Sequence, residues 1–78
     1  MKYCSLKDFF ALIRAEFHSG TNAFPFTVFE VLELARIKGY NLQREKALKY
    51  LDRLINAGWV TFDGGLYKNV LWVYKGVF

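Results

Sequence analysis

The most informative segment of this 78-residue chain is Leu51-Asp52-Arg53-Leu54-Ile55-Asn56-Ala57-Gly58-Trp59-Val60. Its leucine and isoleucine positions recur at the three- and four-residue spacing of an amphipathic helix. Gly58 then supplies the left-handed conformation in which helices commonly end. The residues from Trp59 to Phe62 favour strands. The stretch therefore predicts a helix that stops sharply and leads directly into a β-strand.

The helix that ends at Gly58 extends back to Asn41, a favourable N-cap residue. We predict this third helix over residues 42–57, with an apolar stripe made of Ala47, Leu48, Leu51, Leu54 and Ile55. Downstream, Asp63-Gly64-Gly65 is a turn signal, and the segment 70–74 is again rich in strand formers. The pattern predicts a β-hairpin over residues 59–75, with residues 64–69 at its tip.

Two further helices are expected before the third. Ser5 is a capping hydroxyl ahead of the acidic Asp8, and Thr27 and Glu30 have the spacing of a capping box. Gly39 is a good stop for the second helix. The expected buried faces are Leu6, Phe9, Phe10, Ile13 and Phe17 in the first helix, and Val28, Val31, Leu32 and Ala35 in the second.

The order helix, helix, tight turn, helix and hairpin resembles the winged helix-turn-helix superfamily. Residues 51–60 look like the end of that family's recognition helix, and the segment 35–41 looks like the turn between its two key helices. The resemblance covers residues 27–75, although the distance from Ala35 to Gly58 is slightly longer than in common regulators of the family. It implies an α+β fold, a three-helix winged helix-turn-helix with a C-terminal β-hairpin wing, in one domain spanning residues 1–78.

Several function classes receive no support from the composition. A lone cysteine and a lone histidine give neither an internal disulfide nor a common zinc site. Cys4 is expected to be a small buried thiol and His18 a favourable residue at a helix C-terminus. We therefore expect no enzyme, no metal and no cofactor. No run of about 20 apolar residues and no secretory signal is present, which predicts no membrane contact and a cytoplasmic location (the host-cell cytoplasm if the protein is viral).

A net charge of +4 suits duplex DNA as a partner, and its positive excess is densest in residues 41–58. The resemblance implies that the third helix enters the major groove and that the wing tip meets the minor groove or a phosphate. The predicted DNA-binding residues are Gln43, Arg44, Lys46, Lys49, Tyr50 and Arg53 on the helix, and Tyr67, Lys68 and Asn69 at the tip. On the helix, Tyr50 is expected on the shoulder of the exposed face that carries Lys46, Lys49 and Arg53. Gln and Arg suit base edges and Lys suits phosphates. The alternative is a solvated face in which the cations pair with Glu45 and Asp52.

The aromatic content favours a rival interpretation. Eight Phe, five Tyr and two Trp exceed what so small a core can bury. Our candidates for a partner interface are Phe24, Phe26 and Phe78, and the resemblance makes a homodimer the family-like option. The two functions in view are a transcription regulator or excision or architectural factor that binds DNA, and a winged-helix protein–protein interaction module such as a phage-type inhibitor or a subunit of a larger complex. A mixed or acidic face beside exposed aromatics would favour the second.

Overall fold

The computed structural model describes residues 1–19 and 22–70, and these form three helices, one hairpin and two short strand pairs. The predicted α+β class, with three helices followed by a β-hairpin, is confirmed. In chain order the elements are β1 (Lys2–Tyr3), α1 (Leu6–Glu16), β2 (His18–Ser19), β3 (Asn22–Ala23), α2 (Val28–Ile37), β4 (Tyr40–Asn41), α3 (Arg44–Asn56), β5 (Val60–Asp63) and β6 (Leu66–Asn69).

The starts of α1 and α2 lie where the sequence predicts them. The Ser5 hydroxyl accepts a hydrogen bond from the Asp8 backbone N–H, and the Asp8 carboxylate accepts one from the Ser5 N–H. Thr27 and Glu30 make the same reciprocal pair, at 3.3 and 2.9 Å. Each box satisfies two backbone N–H groups that have no partner inside the helix. Both helix starts are therefore fixed by local chemistry.

The end of α1 differs from the prediction. The helix finishes at Glu16, and His18, expected as its C-terminal residue, instead belongs to β2, where it pairs with Ala23. The Phe24 N–H then donates to the Phe17 carbonyl at 2.9 Å. The chain thus turns back on itself immediately after α1, which brings Phe26 over the core.

The start of α3 also differs from the prediction. Gln43 is the N-cap, without a side-chain capping bond, so the expected cap at Asn41 is wrong. The physical reason is that Asn41 lies in β4, which pairs in parallel with β1 in the register Lys2↔Tyr40 and Tyr3↔Asn41. The long connection between α2 and α3 therefore accommodates a strand. At its other end α3 stops as expected, with Gly58 at φ +85°.

The turn of the hairpin is tighter than predicted. Gly64 and Gly65 both have positive φ, +59° and +86°, as the tightest two-residue turns require. This turn places Phe62 opposite Tyr67 and Val60 opposite Asn69. The returning strand is therefore Leu66–Asn69, and the tip is the glycine pair. Of the strand predicted over residues 70–74, Val70 follows β6 and the remainder lies outside the described residues.

The core lies between the three helices and is closed by the start of the hairpin. Its largest wholly buried side chains are Cys4, Phe9, Ile13, Phe26, Val31, Leu51 and Val60. Two backbone hydrogen bonds, at 2.9 and 2.8 Å, join Phe26 to Tyr67 of β6. Because an isolated two-stranded hairpin is marginal in water, this third partner helps to hold it on the helices.

Candidate nucleic-acid interface on the third helix

One side of α3 packs on the core and the other carries charges. Its buried residues are Ala47, Tyr50, Leu51 and Leu54. Its exposed charged residues beyond the first helical residue are Glu45, Lys46, Lys49, Asp52 and Arg53. At about 100° per residue, these charges separate into two adjacent rows. We call Lys46, Lys49 and Arg53 the basic edge, and Glu45 and Asp52 the acidic edge.

One end of the basic edge, at Lys46, lies beside the N-terminal strand. The Lys46 ammonium is 5.9 Å from the ring centre of Tyr3 and 5.6 Å from that of Tyr50. Within the described ranges, no residue of the basic edge forms an ion pair, so the pairing with Glu45 and Asp52 that would neutralise it is not made. The three cations span about 10 Å along the helix axis. They leave a row of positive charge available to an anion.

The acidic edge lies toward the hairpin. A groove of about 440 Å³ between α3 and the hairpin is lined by Leu48, Lys49, Asp52, Ile55, Phe62 and Tyr67. Most of this lining is apolar, and the Phe62 side chain remains 52% exposed. Asp52 places a negative charge where the helix meets the hairpin. The positive surface of α3 therefore does not continue across this groove onto the hairpin.

The residues predicted at the wing tip lie in β6 instead. Asn69 is 4% exposed, and its amide nitrogen donates to the Ile13 carbonyl at 3.0 Å. Tyr67 is half-buried, with ring centres 4.7 Å from Phe62 and 5.8 Å from Phe26. The predicted placement of these two side chains at a hairpin tip is wrong, because the two-glycine turn places both residues in strand β6.

Lys68 is the exposed member of the predicted tip set. It pairs with Thr61, and strand alternation puts both on the face opposite Phe62 and Tyr67. Since Phe62 and Tyr67 line the groove beside α3, Lys68 points away from it. The structure therefore does not bring Lys68 together with the basic edge.

Tyr50 was predicted on the exposed shoulder of α3, and this placement is wrong. The side chain is 5% exposed, and its hydroxyl donates to the Cys4 carbonyl at 2.7 Å. Burial, followed by the hydroxyl contact with Tyr3, raises the pKa of Tyr50 to about 12. A signal for this was present, because Tyr50 is three residues from Ala47 and four from Leu54, both in the apolar stripe.

Gln43 and Arg44 are exposed at the N-terminal end of α3. Arg44 lies about 160° around the helix from Lys46, so it is separate from the basic edge. Any contact that Gln43 and Arg44 make with a ligand must therefore come from the end of the helix. The structure therefore brings together Lys46, Lys49 and Arg53, whereas Gln43 and Arg44 are not part of this row.

Of the predicted interface aromatics, only Phe24 is exposed in the described chain. Phe26 is wholly buried and stacks on Phe17 with ring centres 4.4 Å apart, so its assignment to an interface is wrong. Its position directly before the N-cap Thr27 favours burial against the first turns of α2. Phe78 lies outside the described residues.

Sequence reasoning missed an exposed apolar site on α2. Phe29 and Ile37 are 67% and 65% exposed, and Glu30 and Glu33 lie between them. The predicted buried face of α2 is otherwise right, with Leu34 added to it and Leu32 only half-buried. The spacing of eight residues between Phe29 and Ile37 places them on one face, which is the signal that could have identified this site.

Cys4 is buried as predicted. Burial and, secondarily, the Asp8 carboxylate raise the pKa of its thiol, which keeps it protonated near neutral pH. Across the described ranges, no cluster of three or more His, Cys, Asp or Glu side chains could hold a metal ion. The helices of the described chain are all too short or too polar to cross a bilayer.

No family model, curated protein or solved structure matches this chain.

Proposed function

We propose that this chain is a small non-catalytic winged-helix protein that binds duplex DNA through α3, as a transcription regulator or an excision or architectural factor. The observation that carries the proposal is the basic edge. Lys46, Lys49 and Arg53 are exposed on successive turns of one helix and are not neutralised by acids in the described chain. Such a row is complementary in charge to the phosphates of a DNA backbone.

In this proposal, the residues of α3 make different kinds of contact with DNA. Lys46 and Lys49 serve phosphates as point charges, while the planar guanidinium of Arg53 can bind a phosphate or a guanine with two parallel hydrogen bonds. Gln43 and Arg44, at the N-terminal end of the helix, are the candidates for contacts to base edges. The order α2, connection, α3 and hairpin supports the winged-helix interpretation on which this arrangement rests.

The acidic edge sets the orientation of the DNA. Glu45 and Asp52 would repel phosphates, so the duplex centres on Lys46, Lys49 and Arg53 rather than on the acidic edge. Lys68, on the far face of the hairpin, contributes at most an additional phosphate contact. Binding therefore rests mainly on one helix and on a small number of ion contacts.

The test is a binding titration of a fluorescent duplex of random sequence at increasing salt. Three phosphate contacts give a slope of log K against log salt of about −2.7, or about a 40-fold loss of affinity between 50 and 200 mM salt. Lys49→Glu combined with Arg53→Glu should abolish binding because two of the three cations become repulsive.

The matched control is Lys7→Glu combined with Lys38→Glu, which makes the same change in net charge on α1 and after α2. It should retain most of the affinity. Unchanged DNA binding by the Lys49→Glu, Arg53→Glu variant would contradict the proposed surface. An equal loss of DNA affinity in the two double variants would mean that net charge alone attracts the DNA.

A second candidate is the protein–protein interaction module. The specific observation in its favour is the exposed pair Phe29 and Ile37 beside Glu30 and Glu33 on α2. A wild-type chain that fails to bind duplex DNA at low salt would favour this candidate. Light scattering on the same samples tests the expected homodimer.

A further inference from the structure

The outward face of α2 is a ridge of two large apolar side chains with an acid between them. Phe29, Glu33 and Ile37 follow each other at four-residue spacing, so they lie on one face of the helix. A surface helix normally carries polar residues on this side. Exposed apolar patches on a small domain commonly mark partner sites.

The ridge borders a groove of about 430 Å³. Phe17 of the α1 end and the buried Leu34 provide apolar lining, and Glu16, Glu30 and Glu33 add carboxylates. Phe29 also lines a second groove, of about 450 Å³, together with the exposed Met1. Phe29 thus stands between two depressions that could each receive a side chain.

The charges around this groove are mainly negative. Glu16 and Glu30 have no basic partner within the described part of the chain, although Glu30 also accepts the capping bond from the Thr27 N–H. Glu33 pairs with Arg36, and the hydrogen bond from that guanidinium lowers the pKa of Glu33. The groove and its border therefore carry three glutamates, Glu16, Glu30 and Glu33, against one arginine, Arg36.

We propose that this α2 surface, comprising Phe29, Glu33 and Ile37 with Glu16, Phe17 and Glu30, docks a segment of another protein that presents apolar side chains flanked by lysine or arginine. The apolar side chains would cover Phe29 and Ile37, and the cations would meet the carboxylates. Central aromatic contacts dominate the energy of such interfaces, while charges at the rim set selectivity and association rate.

Charge argues against the other occupants. Pairing α2 with α2 of a second copy around a twofold axis would bring both sets of carboxylates together, against only two guanidiniums. Placing the basic edge of one copy on the α2 surface of the next would give a head-to-tail contact with no inherent closure. Nucleic acid would be repelled by the carboxylates. A basic segment of a different protein is the occupant that complements this surface.

The probes for this proposal are three labelled peptides of equal length, measured by fluorescence anisotropy against the full chain. One is an amphipathic Leu/Lys helix, the second replaces Lys by Glu, and the third replaces Leu by Ser. The Leu/Lys peptide should bind about tenfold or more tightly than either of the others, because it alone supplies both the apolar and the basic groups. Equal binding of the three peptides would overturn the proposal.

Variants locate the binding site. Phe29→Ala should lower the affinity for the Leu/Lys peptide about tenfold or more, and Ile37→Ala should lower it measurably. Both side chains are exposed, and alanine favours helix, so circular dichroism should show an unchanged fold. The matched control is Phe62→Ala, which removes a similarly exposed ring from the hairpin. A loss with Phe62→Ala as large as that with Phe29→Ala would overturn the assignment.

Two further outcomes separate this inference from DNA binding and from self-association. The Lys49→Glu, Arg53→Glu variant leaves the α2 surface intact and should bind the peptide like the wild type, whether or not the wild type binds DNA. A dimer in light scattering that Phe29→Ala dissociates would assign the α2 surface to a second copy and overturn the proposal.

Discussion

The hydroxyl of Tyr50 joins segments that are far apart in the sequence. It donates to the Cys4 carbonyl at 2.7 Å, lies 3.4 Å from the Tyr3 hydroxyl, and its ring packs against Phe9 with centres 5.3 Å apart. Tyr50 therefore fastens the segment between β1 and α1 onto α3. The same residue sits directly beneath Lys46, so it also fixes one end of the basic edge.

The helical spacing of Tyr50 was visible in the sequence, but its partners were not. Cys4 is 46 residues away, and no local pattern identifies which carbonyl a buried hydroxyl will meet. A tyrosine at the border of an apolar stripe satisfies burial and solvation almost equally well. The tertiary partner decides between them, which is why the prediction of an exposed shoulder failed.

Alkaline pH provides a test of this contact. The pKa of Tyr50 is about 12 in the folded chain, above the ordinary value of about 10 for tyrosine in an unfolded chain. The folded state therefore holds the proton more tightly, and the resulting stability is complete below about pH 10 and lost between about pH 10 and 12. Urea denaturation at a series of pH values should show that, between about pH 10 and 12, the free energy of unfolding falls more steeply with pH for the wild type than for Tyr50→Phe. Equal pH dependence of the free energy of unfolding in the wild type and Tyr50→Phe would contradict the contact. The Tyr3→Phe variant should retain most of the wild-type pH dependence.

Among the elements, the hairpin shows most clearly how local and distant interactions combine. Gly64 and Gly65 select the two-residue turn, and this choice fixes every pairing in β5 and β6. Both 66–69 and 70–74 contain strand-forming residues, so the sequence pattern did not decide which segment returns. The capping boxes at Ser5 and Thr27 were predictable because each is complete within four residues. The β1–β4 pair was not, since two-residue strands carry no periodic signal.

Asn69 should be a point where the hairpin depends on α1. Its amide nitrogen donates to the Ile13 carbonyl, which also accepts the helical bond from Phe17. Asn69→Ala removes the first bond and should lower the free energy of unfolding by about 1–2 kcal/mol. Thr61→Ala, on the exposed face of the same hairpin, should change it by less than about 0.5 kcal/mol. If urea denaturation gives the two variants equal stability, the attachment is not formed as described.

For the molecule as a whole, the arrangement of charge is more informative than its total. The net charge of +4 is distributed so that the basic edge lies on α3, while exposed carboxylates and aromatic surface lie together on α2. The basic edge and the exposed Phe29 and Ile37, which bear on the two rival explanations, therefore lie on different helices. A single domain of this size can offer one face to DNA and another to a protein.

The sequence predicted Lys46, Lys49 and Arg53 together because helical periodicity determines which residues share a face. It failed for Tyr67, Asn69 and Phe26 because their positions depend on the hairpin register and on the Phe26–Tyr67 bridge, which span 41 residues of chain. The sequence did not predict the α2 surface, because apolar residues on the outer side of a helix are the same residue types as those in the core.

If the basic edge of α3 is the DNA-binding surface, amide chemical-shift mapping of the isotope-labelled chain with a short duplex at low salt should locate the contact there. We expect the largest shifts at Lys46, Lys49 and Arg53, with smaller ones at Tyr3, and no change at Phe29 and Ile37. Shifts centred on Phe29 and Ile37 or on the hairpin, or the absence of any shift, would contradict it.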